Sequence, residues 1–131
     1  MAATYIGTSI NESPVIVMKA GEELKNARGI ALSIKDGALV KPEAGKNAIG
    51  ISIIETDETV EKGSDVDIQI KDIGKWTAGA AVTAGTELAT DENGKAVEAK
   101  PGDFIIGIAL NSAEKEGTWL KVQITKSGYK A

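Results

Sequence analysis

Apolar and polar residues alternate along much of this chain. In Gly63-Ser-Asp-Val-Asp-Ile-Gln-Ile70, Val66, Ile68 and Ile70 share one parity, and Asp65, Asp67, Gln69 and Lys71 share the other. A period of two puts successive side chains on opposite faces, which predicts a half-buried β-strand. The pattern returns 54 positions later (117 − 63) as Gly117-Thr-Trp-Leu-Lys-Val-Gln-Ile124, and Gly128 answers Gly74 at the same offset. Ile49-Gly-Ile-Ser-Ile53 is likewise echoed by Ile106-Gly-Ile-Ala-Leu110. These repeats predict an all-β fold, a small β-barrel or β-sandwich built from two tandem, internally similar units that close on one core.

Between the strands lie turn signals. Val15-Ile-Val-Met-Lys19 reads as the first strand. Ile30 to Lys35, Asp36-Gly37 and Ala38 to Lys41 read as a hairpin with a two-residue turn. Its counterpart runs from Glu87 to Glu98 through Asp91-Glu-Asn93-Gly94. Ala84-Gly85-Thr-Glu-Leu88 repeats Ala20-Gly21-Glu-Glu-Leu24; matching those glycines leaves seven extra residues in the first unit, most simply around Asn26 to Gly29. Residues 22–28 have room for one helical turn at most, since glycine stands at both ends. Gly50 and Ser52, like Gly107 and Ala109, leave one strand face with small residues only. Such a face suits close approach of another strand or subunit, or a sharp bend, and the bend is the simpler reading.

Residues 1–14 match nothing in the second unit and are expected to be an extended N-terminal arm, with Tyr5, Ile6 and Ile10 as apolar beads in a polar string. They read either as a terminal or edge segment or as an arm that adds a strand to a partner. Residues 15–131 are expected to form a single β domain, with unit one at about 15–76 and unit two at about 77–131. Residues 73–82 have no linker-like composition.

Composition narrows the function. Hydrophobic residues make up 42% of the 131 residues but aromatics only 4%, so the core must be aliphatic. A net charge of −4 argues against direct nucleic-acid or anionic-membrane binding. No apolar run approaches the roughly 20 residues of a membrane span, and the N-terminus does not read as a secretion signal. With no Cys and no His, thiolate chemistry, disulfides, the commonest general base and the commonest zinc ligand are gone. No catalytic residue, metal or cofactor is expected.

The remaining motifs weigh little. Gly45-Lys46, Gly74-Lys75 and Gly94-Lys95 lack the spacing and the following Ser or Thr of a phosphate loop. Asp91-Glu-Asn93-Gly94 lacks the spaced carboxylates of a calcium loop and reads as a turn. Ser112-Ala-Glu-Lys115 with Lys126-Ser-Gly128 imitates a serine β-lactamase signature, but the two pieces only flank one strand. Asp65 and Asp67 share a face, as a glycosidase pair would. The second unit carries Trp119 and Lys121 there, and Lys121 could pair with an aspartate across strands. Trp119 should point away from the aliphatic face, as a lid or an interface anchor.

Taken together, the polar leader, Val17 to Gly21, the Asp36-Gly37 turn, Ala48 to Ser52, Lys62 to Ile70, Trp76-Thr-Ala-Gly79, Ala84-Gly85, Ile106 to Ala109 and the closing Gln123-Ile124 resemble the capsid cement, or head-decoration, proteins of tailed bacteriophages. The resemblance spans roughly Asn11 to Gly128. It implies a virion protein, made in the host cytoplasm, that sits on the outer surface of the head. There it would act as a homo-oligomer, a trimer by preference, bridging neighbouring copies of the major capsid protein. The arm is then the expected capsid contact, with Tyr5, Ile6, Ile10, Trp76 and Trp119 as candidate interface residues. Two other classes compete: a carbohydrate- or ligand-binding β-sandwich module, and a hydrolase using Asp65, Asp67 or Glu55.

Overall fold

The computed structural model describes residues 13–131. Its strands are β1 (Val15–Lys19), β2 (Ala31–Lys35), β3 (Ala38–Val40), β4 (Gly50–Ser52), β5 (Asp65–Gln69), β6 (Asp72–Thr77), β7 (Glu87–Thr90), β8 (Ala96–Glu98), β9 (Phe104–Ala109) and β10 (Trp119–Tyr129). Among the described residues there is no helix. Residues 22–28 form turns and a bridge from Leu24 to Val60 rather than a helical turn.

The strands make two five-stranded antiparallel sheets, ordered β1-β5-β4-β2-β3 and β6-β10-β9-β7-β8. Adding five to each strand number converts the first order into the second, so the duplication is structural. The registers superpose as well: Val17 opposite Asp67 answers Lys75 opposite Lys121, and Ser52 opposite Ile68 answers Ala109 opposite Val122. Each sheet curls until its edges meet at one parallel bridge, Ala20 to Leu39 in the first and Ala78 to Ala96 in the second. Gly21 N and Gly79 N donate to the carbonyls of Leu39 and Ala96, both at 2.7 Å.

Those bridges correct the repeat alignment. Ala20-Gly21 corresponds to Ala78-Gly79, not to Ala84-Gly85. Gly85 instead corresponds to Gly29, each with positive φ (89° and 49°) ahead of the equivalent leucines Leu88 and Leu32. Between Leu24 and Gly29 the first unit therefore has only two residues more than the second has between Val82 and Gly85, not seven. The expected seam between Trp76 and Thr77 falls inside β6, which pairs along its length with β10, so the second sheet begins at Asp72.

Alternation places the core as expected on β5 and β10: Val66, Ile68, Leu120 and Val122 are buried. The core is not one mass. One cluster holds Leu24, Ile30, Leu32, Leu39, Val66 and Ile68 within the first unit. A second joins Ala31, Ala48 and Ile51 of the first unit to Trp76, Leu88, Ile106 and Leu120 of the second. That second cluster fuses the units, and hydrogen bonds cross the same seam: Ala31 N to Gly94 O at 2.7 Å, Thr77 N to Gly29 O at 2.8 Å and Gly45 N to Thr90 O at 2.9 Å.

Small residues on β4 and β9 prove to be about approach rather than bending. A Cβ on Gly50 would lie 2.2 Å from Gln69 O, and one on Gly107 would lie 2.5 Å from Gln123 O. The neighbouring strand backbone occupies the space a side chain would need. Asp36 and Gly37 both have positive φ (51° and 78°), as a two-residue hairpin turn of the primed kind requires.

Candidate interaction surface

At the seam the surface opens into a groove of about 500 Å³ whose walls include Ile53, Ile54, Ile73, Lys75, Trp119 and Lys121. Ile53 and Ile73 are 45% and 57% exposed, an unusual exposure for isoleucine. Trp119 forms the rim. The Arg28 guanidinium stacks over its ring, 3.9 Å from the centroid, and donates to Gly117 O at 2.9 Å. Lys75 Nζ lies 5.6 Å from the same ring and 3.4 Å from Glu55 Oε1. The indole edge rests on Gly29, where a Cβ would come within 2.3 Å of Cζ3. Trp119 therefore covers the junction between units, held by the loop that carries the extra residues of unit one. One ring face goes to Arg28, which leaves no open platform for sugar stacking on that side.

Trp76 does not fit its expected role. It is fully buried, and its Nε1 donates to Gly94 O at 2.7 Å. Its parity on β6 is that of Met18 on β1, an inward position, so it is a core residue and not an interface anchor. Tyr5, Ile6 and Ile10 lie outside the described residues. Arg28 and Gly29 were missed from sequence; the only signal was the length difference that was placed beside them.

The candidate carboxylates are engaged structurally or spread apart. Asp65 pairs with Lys19 at 2.8 Å on the outer face of β5, while Lys121 sits opposite Lys75 in the other sheet. The expected pairing of Lys121 with Asp65 or Asp67 across neighbouring strands therefore does not form, because β5 and β10 belong to different sheets. Asp91 Oδ1 accepts from Asn93 N and Lys95 N, both at 2.9 Å, which makes that loop a side-chain-capped hairpin turn. Ser112 Oγ accepts from Ala84 N at 2.9 Å. Among the described residues no three His, Cys, Asp or Glu side chains gather as metal ligands.

Two shifted ionisations belong to surface pairs and a third to burial. Lys95 donates to Glu116 at 2.8 Å and lowers that carboxyl below its ordinary range, while Glu87 raises Lys130. Lys126, in left-handed conformation on β10, is lowered by burial alone. None of these groups lies in the groove. Its lining is mainly apolar, with Lys75, Lys121 and Glu55 among the isoleucines.

Among curated proteins none matches the chain. In fold, the chain is similar to the head fiber gp8.5 N base of bacteriophage phi29, with a TM-score of 0.65, 20% identity, and 89% of this chain and 98% of that one covered. The sequence pattern of phage cement proteins matches residues 11–124, nearly the whole of both repeat units, and the chain belongs to the phage cement protein family.

Proposed function

We propose that this cement protein binds the outer surface of a phage head and holds neighbouring copies of the major capsid protein together, acting as a homo-oligomer, a trimer by preference. Family membership over residues 11–124 carries the reading and makes the role a structural, capsid-decorating one. The phi29 relative, itself a head fiber base, supports placement on a head. The fold suits such a role. Two closed sheets locked by a shared core leave few free strand edges and form a rigid block. Each copy would bury modest area on several shell subunits, and many copies together make the lattice harder to open. The arm at residues 1–14 is the proposed capsid contact, with Trp119 as the remaining aromatic anchor. No catalysis is part of this role.

The test is sedimentation of the purified protein with expanded, DNA-free heads, beside a chain lacking residues 1–14. Saturable co-sedimentation that lets heads survive higher temperature supports the reading. Loss of binding in the truncated chain assigns the arm. Full-length protein left in the supernatant at micromolar concentration overturns it.

A further inference from the structure

The first described residues start beside the seam groove. Val15 opens β1 opposite Gln69, and Pro14 O accepts from Ile70 N at 2.8 Å, so residues 1–12 join the body at the turn from β5 to β6. Gln69, Ile73 and Gly74, on either side of that turn, also line the groove. Its polar groups are largely engaged within the body. Gln69 Nε2 donates to Lys71 O at 2.9 Å and to Ile73 O at 2.7 Å, Lys75 pairs with Glu55, and Arg28 is held on Trp119. Ile53 and Ile73, by contrast, stay about half exposed. The groove therefore suits an apolar occupant rather than a charged ligand.

Residues 1–12 have that chemistry. They carry Tyr5, Ile6 and Ile10, no Lys or Arg, and a single carboxylate, Glu12. In an extended chain Ile6, Thr8 and Ile10 share one face, with the two isoleucines about 13 Å apart. At about 3.3 Å per residue, Ile10 reaches about 10 Å from Ser13 and Ile6 about 23 Å. A tether this short holds the arm near the groove at an effective concentration of order millimolar, well above that of a second copy at micromolar protein. We propose that, in the free protein, residues 5–10 dock in the seam groove of their own chain, with Ile6 and Ile10 covering Ile53 and Ile73. Docking describes the protein without a head, so it stands or falls apart from capsid attachment of the arm.

A spin label tests it. The chain has no Cys, so a label on S9C reports the arm alone, and Ser9 has the parity opposite to Ile6 and Ile10. In labelled, nitrogen-15-enriched protein the amide signals of Ile53, Ile73 and Gly74 should be selectively broadened. I53S/I73S, altered at exposed positions, should relieve that broadening and speed chymotrypsin cleavage after Tyr5 by about tenfold. An unchanged far-ultraviolet circular dichroism spectrum will show that this variant is folded. Broadening that is absent, or spread evenly over the surface, overturns the proposal. So does a cleavage rate that I53S/I73S leaves unchanged. A mixture of labelled, unenriched chain with enriched, unlabelled chain should keep the groove signals sharp. Broadening in that mixture gives the groove to a second copy and also overturns the proposal.

Discussion

Arg28 and Trp119, 91 positions apart (119 − 28), stack at 3.9 Å, and the residue after Arg28 is the glycine on which the indole edge rests. The two repeat units are latched there by a side chain that only the second unit has and a loop that is longer in the first. Replacing Gly29 by Ala sets a methyl group into the indole at a residue with φ of +49°. Overpacking plus left-handed strain should cost about 2–4 kcal/mol. Urea unfolding of G29A, W119L and the double variant checks this. The double variant should lose clearly less than the two single losses combined, because the smaller side chain makes room.

Ser52 distinguishes the units in a second way. Its hydroxyl donates to Ala27 O at 2.7 Å and accepts from Ile30 N at 3.0 Å, fully buried, while Ala109 stands at the equivalent place. The hydroxyl supplies partners for backbone groups of the longer loop. S52A should therefore cost about 1–3 kcal/mol by leaving them unsatisfied. A109S, which buries a hydroxyl without that loop, should also destabilise. Chemical denaturation of both variants decides the point.

Trp76 is expected to matter for stability and not for attachment. W76A removes the largest buried side chain and should cost about 3–5 kcal/mol. W76F loses the bond to Gly94 O and leaves a smaller cavity, so it should cost less than W76A. At a temperature where W76F is folded, its co-sedimentation with heads should equal that of the wild type. A loss of binding would place Trp76 in the interface after all.

The Lys95–Glu116 pair predicts an acid dependence. Glu116 is held below its ordinary value of 4.5 in the folded state. A depressed carboxyl contributes stability above its unfolded value, and that contribution disappears as pH falls below 4.5 through the folded value. Thermal unfolding from pH 6 down to about pH 2.5 should show wild type more stable than E116Q at the upper end and equal to it at the lower. Lys130 has the opposite sign: raised by Glu87, its contribution is lost as pH climbs above 10.5.

Much of this molecule was legible in one dimension. Alternation located β5 and β10 with the correct buried parity and Asp36-Gly37 located a hairpin, whereas the bend expected at Gly50 and Gly107 gave way to close approach of the neighbouring strand. These are local properties, since period, turn conformation and side-chain volume are carried by a few adjacent residues. Family resemblance, too, rested on short motifs in order along the chain. The repeat alignment failed at Ala84-Gly85 because Ala-Gly before a strand is a common local solution, and only the bridges Ala20–Leu39 and Ala78–Ala96 show which glycine closes which sheet. Trp76 and Trp119 illustrate the remaining divide. Alternation put Trp119 on the outer face of its strand, but Trp76 lies in a stretch without clear alternation, so its side could not be read. Which face became interior depended on the units packing together, with Ile51 and Ala31 joining the core around Trp76 while Arg28 and Gly29 came to rest against Trp119. Strands, turns and kinship could be read along the chain, because each is written within a few residues. The seam and the groove exist only in the folded molecule, because each arises from residues brought together across dozens of positions.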